Sequence, residues 1–142
     1  MHRSLTVALL VLSMAAVAQA IPPQSVPWDS ARATSEATAF LTDLIRLDTR
    51  DPPGNESAVA QYLAGVLTRE GIPFELLEPV PGRASIVARL KGDGSRKPLL
   101  LMGHEDVVPV DAARWSVDPL AGITRDGFVY GRGALSSLAP RP

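Results

Sequence analysis

The spacing of apolar residues changes along the chain, and each change predicts an element. Over residues 30–47 they recur at helical spacing, with Ala33, Ala37, Phe40, Leu41, Leu44, Ile45 and Leu47 on one side and Asp29 or Ser30 as the cap. Asp51-Pro52-Pro53-Gly54 breaks that pattern. A second helix is predicted from Asn55, a good N-cap residue, with Glu56 in its first turn. Its apolar face is Val59, Tyr62, Leu63, Val66 and Leu67, and Gly71 stops it. Both helices read as one-sided covers for a sheet. Strands are predicted at 73–80, 84–91 and 98–102, the last two separated by the turn Gly92-Asp93-Gly94-Ser95. Leu99-Leu100-Leu101-Met102 does not alternate, which predicts a central strand covered on both faces. A later ribbon pairs Ile123-Thr124 with Phe128-Val129-Tyr130 around Asp126-Gly127, a hairpin turn signal. Helices followed by strands make the expected class α/β.

The start of the chain follows a different rule. His2 and Arg3 precede an apolar run at 5–18 relieved only by Thr6 and Ser13, and Ala18-Gln19-Ala20 ends it in the small-x-small pattern of a signal-peptidase site. The run falls short of the ~20 apolar residues of a spanning helix. Residues 1–20 are therefore expected to be a cleaved signal peptide, and 21–29 an extended leader to a secreted or periplasmic protein. All 13 prolines and all 11 glycines lie after Ala20, which predicts short elements and tight turns.

Composition then narrows the chemistry. With 14 basic and 15 acidic side chains the net charge is −1, which gives no footprint for nucleic acid or an acidic membrane surface. A hydrophobic content of 46% argues against a disordered chain. The absence of cysteine removes disulfides, zinc ribbons and thiol catalysis, so any metal site must use His, Asp and Glu, with only two histidines available. The candidate chemistry follows the apolar strand, where ligands collect in open α/β sheets. His104 and Asp106 lie two apart in Gly103-His104-Glu105-Asp106, on one side of an extended backbone and ~6.6 Å apart along it. That pair suits a metal ligand with the carboxylate that orients it, or a general base with its orienter. The spacing alone equally fits a strand-end histidine in an ordinary polar loop.

The residues around the pair supply a resemblance. The run from Leu99 through Gly103-His104-Glu105-Asp106-Val107-Val108-Pro109 resembles the G-H-x-D-V-V-P signature of metallopeptidase family 20, which holds aminoacylases, acetylornithine deacetylases, succinyl-diaminopimelate desuccinylases and glutamate carboxypeptidases. Three further stretches are similar in the same order. They are Leu44-Ile45-Arg46-Leu47-Asp48-Thr49 with Asp51-Pro52-Pro53-Gly54-Asn55-Glu56, then Trp115-Ser116-Val117-Asp118-Pro119 with Gly122, then Asp126-Gly127-Phe128-Val129-Tyr130-Gly131-Arg132-Gly133-Ala134. The likeness spans 30–135. It implies the N-terminal part of a zinc-peptidase-like catalytic domain, two helices on a mixed, partly parallel sheet, truncated before an inserted lid domain that carries the dimer contacts. It also implies hydrolysis of peptide or N-acyl-amino-acid amide bonds by two zinc ions that lower the pKa of a water and polarise the scissile carbonyl. Carried over, His104 is a zinc ligand and Asp106 the aspartate that orients it. Glu105 stands where the family has a small or apolar residue and receives no role, and Arg132 is expected to shape its loop.

The likeness ends after Leu135. The family's bridging aspartate falls at Ser136, whose hydroxyl brings no negative charge to hold two cations. The general-base glutamate, the later ligands and the lid have no counterpart in 136–142, an aberrant tail of Ser, Leu, Ala, Pro and Arg. Such composition suggests a GC-rich coding region read out of frame and predicts a frameshift near the Leu135 codon, in the organism or in the sequence record, with a true evolutionary truncation as the alternative. The chain is thus expected to be an inactive fragment that does not hold zinc stably, does not associate with membranes after signal cleavage and lacks the dimerisation domain. The competing reading is a non-catalytic exported binding or interaction module.

Overall fold

A computed structural model describes residues 27–135. Residues 1–20, expected to be a signal peptide, most of the expected leader at 21–29, and Ser136 with the rest of the tail lie outside the described residues. Helix α1 (Ser30–Ile45) starts where Asp29 caps it, the carboxylate accepting the Arg32 N–H at 3.0 Å. Helix α2 (Glu56–Arg69) begins after Asn55, whose side chain makes no capping bond, and ends before Gly71 at φ +67°, a left-handed conformation that glycine adopts without strain. Strands β1 (Phe74–Val80) and β2 (Arg83–Ala88) form an antiparallel hairpin in which Phe74 faces Ala88 and Leu76 faces Ile86. A 3-10 turn (Ala112–Arg114) precedes the ribbon of β3 (Ile123–Arg125) and β4 (Phe128–Tyr130). Asp126 at φ +53° and Gly127 at φ +80° close the ribbon as its Asp-Gly pair predicts.

The helices do not cover one common sheet. Helix α2 packs on the β1–β2 hairpin and α1 on the later ribbon. Gly131 follows β4 against the Ile45 side chain, and Gly122 approaches the Thr42 carbonyl so closely that a Cβ there would stand 2.5 Å from it. Ile45, Val59, Ala60 and Ala84 are the buried apolar residues. Ala37, expected on the inner face of α1, is exposed.

The predicted strand at 98–102 is not formed. Leu99, Leu100, Leu101 and Met102 are 78–85% exposed, and β2 ends at Ala88 instead of running to Lys91. The physical reason lies in pairing. A strand apolar on both faces is stable only between neighbours that take its backbone bonds and layers that cover both faces. Among the described residues no segment pairs with 98–102. The mixed, partly parallel sheet is correspondingly reduced to two antiparallel ribbons and one parallel bridge, between Arg50 and Val107.

Candidate functional site

That bridge builds the site. The chain leaving α1 runs alongside the segment after His104. Val107 N–H donates to the Thr49 carbonyl at 3.1 Å, and Asp51 N–H donates to the Val107 carbonyl at 2.9 Å. The Thr49 hydroxyl, on a residue only 2% exposed, donates to the Glu105 carbonyl at 2.7 Å. A polar loop and a polar turn are thereby locked together through their own backbones.

Arg83, the first residue of β2, ties the same loop to the hairpin. Its guanidinium donates to Asp51 at 3.1 Å and to the Pro53 carbonyl at 3.3 Å, and its Nε meets Glu56 at 2.6 Å. The Glu56 contact has ion-pair distance but poor alignment, so neither oxygen of this buried carboxylate has a hydrogen bond. Its place in the first turn of α2 sets the anion against the positive end of the helix dipole. A Cβ at Gly54, whose φ is +83°, would stand 2.6 Å from the Arg83 guanidinium. The hydrogen bond from Arg83 to Asp51 is the largest cause raising the guanidinium pKa above its ordinary value, and Glu56 and Asp106 add smaller Coulombic attractions.

His104 and Asp106 meet as their spacing predicts. His104 Nδ1 lies 2.8 Å from the Asp106 backbone carbonyl oxygen and 3.3 Å from the carboxylate Oδ1. The imidazole is exposed, and its Nε2 points to no partner among the described hydrogen bonds. Glu105 is half-buried. Burial raises its carboxyl pKa above the ordinary value, and the neighbouring Glu56 charge raises it further.

His104 and Glu105 stand at the rim of an open cavity of about 400 Å³. Its walls are chiefly apolar, from Leu41, Leu44, Val59 and Leu63 on the two helices and Ile86 on β2. Arg132 closes another side with its guanidinium over the Trp115 ring, 5.6 Å from the centroid, while its backbone N–H donates to the Pro119 carbonyl at 2.7 Å. Those contacts make Arg132 a loop-shaping residue, as expected. Among the described residues no group of three or more His, Asp or Glu side chains could hold a metal ion. One outward imidazole therefore fits a single ligand position and not a zinc site, which needs three or four protein ligands.

Thr49 and Arg83 are the residues that sequence reasoning missed. Nothing in Asp48-Thr49-Arg50 marks the threonine as buried, and an arginine after a turn glycine has the pattern of an ordinary strand opening. The isolated acids Asp51 and Glu56 around a Pro-Gly loop are the only local hint that a cation must come from elsewhere.

The loop, the Gly-His-x-Asp turn and the hairpin lie within the stretch that is similar to known proteins. The chain is 38% identical over 109 residues to succinyl-diaminopimelate desuccinylase of Methylobacterium sp. (strain 4-46), covering 72% of this chain and 26% of that protein. It is 35% identical over 100 residues to aminoacylase-1 of Sus scrofa, covering 69% and 25%. It is 46% identical over 59 residues to the N-fatty-acyl-amino acid synthase/hydrolase PM20D1 of Bos taurus, covering 41% and 12%. The chain belongs to metallopeptidase family 20. No family model matches it. It spans about a quarter or less of the length of these curated relatives.

Proposed function

We propose that the chain carries the N-terminal part of the catalytic domain of an exported, metal-dependent amidohydrolase that cleaves peptide or N-acyl-amino-acid amide bonds. The observation that supports this most directly is the His104 turn. Its Nδ1 is engaged by Asp106, its Nε2 faces outward, and it sits at the rim of a cavity in a chain whose relatives are named desuccinylase and aminoacylase. On this reading His104 offers one ligand to a zinc ion and Asp106 fixes the ring that offers it.

A protein of only these 142 residues does not complete that chemistry. The described residues fit one ligand position, and the position of the bridging carboxylate is Ser136. The 142-residue chain by itself is expected to bind zinc no better than a surface histidine does and to leave N-acyl amino acids intact.

The test exchanges the segment rather than the whole protein. Residues 30–135 replace the corresponding segment of a succinyl-diaminopimelate desuccinylase, and hydrolysis is assayed with added zinc. Retained activity that His104→Ala abolishes supports the reading. A folded, metal-loaded chimera without activity refutes it. Export is checked separately by N-terminal sequencing of the protein expressed in a bacterium, where Ile21 as the first residue is expected and an intact Met1 in the membrane fraction rejects cleavage.

A further inference from the structure

We propose that Thr49 is the positioning residue of the His104 imidazole, gripping the backbone on both sides of Asp106 so that the Asp106 carbonyl is turned onto Nδ1 and Nε2 keeps the free lone pair. The argument starts from the alternation of an extended backbone, in which the C=O and N–H groups of residues i and i+2 face one way and those of residue i+1 the other. The hydroxyl of Thr49 takes the Glu105 carbonyl at 2.7 Å, and its own carbonyl takes the Val107 N–H at 3.1 Å. Both groups therefore face the loop after α1, and Asp51 N–H adds a third tie to the Val107 carbonyl at 2.9 Å. The carbonyl of the intervening Asp106 is left on the opposite side, where His104 Nδ1 meets it at 2.8 Å.

A carbonyl oxygen only accepts, so Nδ1 must carry the proton and Nε2 the lone pair. The Asp106 carboxylate at 3.3 Å is the more distant of the two acceptors. The tautomer is thus set by a backbone group that a buried threonine holds, and the carboxylate is secondary. An exposed imidazole without such an acceptor exchanges between its two tautomers, which makes a fixed one diagnostic. This deepens the reading of His104 as the chemistry-bearing residue and rests on it for its functional meaning, but the tautomer is measured with no metal present.

The experiment is a two-bond ¹⁵N–¹H spectrum of histidine-labelled full chain, recorded above the imidazole titration. His2 is the only other histidine. The expected wild-type pattern has Nδ1 protonated and Nε2 unprotonated. Thr49→Val should draw the two ¹⁵N shifts together as the tautomers mix, and Thr49→Ser should restore the wild-type separation. Asp106→Asn keeps the backbone carbonyl and should keep the Nδ1–H tautomer. A wild-type ring protonated at Nε2, an unchanged pattern in Thr49→Val, or loss of the tautomer in Asp106→Asn would each overturn the proposal. The wild-type and Asp106→Asn spectra can each overturn the proposal even where Thr49→Val does not fold, and Thr49→Ser, which keeps the hydroxyl, must then retain the wild-type pattern. Zinc added afterwards to the wild-type chain examines the metal reading on its own, since the metal-free tautomer stands whether or not the Nε2 signal moves.

Discussion

The loop after α1 with the first turn of α2, and the run at 98–102, are made of opposite residues and occupy opposite environments. Thr49, Glu56 and Ser57 are polar or charged and are buried, whereas Leu99 to Met102 are apolar and stand in solvent. Hydrophobicity alone would have ordered them the other way. Bonding partners explain the reversal. Each of these buried polar groups has a specific counterpart: Thr49 bonds the Glu105 carbonyl, Ser57 bonds Glu78 and the Ala84 N–H, and Glu56 has the charge of Arg83 beside it. The leucine run has apolar surface to bury and a whole row of backbone groups to satisfy, and the described residues offer neither a flanking strand nor a covering layer. Burial here follows the availability of partners.

The sharpest way to break this comparison is to remove packing where it exists. Ile45 is buried between α1 and Gly131, and Ile45→Ala should destabilise the fold by about 2–5 kcal/mol, read as a lowered urea midpoint of the helical circular dichroism. A loss under half a kcal/mol, on the order of a surface change, would mean that α1 is not anchored to the later ribbon. A smaller effect is expected at the outer end of the same helix. Asp29→Ala removes the cap on the Arg32 N–H and should cost about 1 kcal/mol, with Asp29→Asn recovering most of it.

The third change probes the polar ties through pH. Glu78 accepts from the Ser57 hydroxyl at 2.6 Å and the Gly82 N–H at 2.8 Å, and the Ser57 bond first, then the Gly82 bond, hold its carboxyl pKa below the ordinary value. A depressed folded-state pKa stabilises the fold above the unfolded-state value and ceases to do so as pH falls through the folded one. Glu78→Gln should therefore be less stable than wild type near neutral pH, and the difference should shrink to nothing on acidification. A difference that persists at low pH would assign the tie to shape instead of charge. The least effect on folding belongs to Leu100→Ser, which should leave the urea midpoint within about 0.5 kcal/mol while reducing self-association in size-exclusion chromatography. A large stability loss there would show that the run is packed after all.

Local signals account for most of the elements. Helical spacing located α1 and α2, a capping aspartate and a stop glycine bounded them, and Asp126-Gly127 placed the last hairpin, because each of these depends on neighbours within a few residues. Family motifs along the chain pointed to the amidohydrolase relatives for the same reason, being short and contiguous. Position 98–102 was misread because its pattern states what such a strand needs and not whether the need is met.

What the sequence by itself determined is therefore the set of helices and turns, the family, and the closeness of His104 to Asp106. Tertiary structure alone decided which groups hold them. Thr49 reaches Glu105 across 56 positions of sequence and Arg83 reaches Asp51 across 32, and no periodicity or cap records a contact of that range. A two-residue spacing brings an imidazole near an aspartate, but whether Nδ1 meets the carboxylate or the carbonyl depends on which way the backbone is turned. That turn is imposed from another segment, by hydrogen bonds that exist only once α1, its loop and the histidine turn have come together.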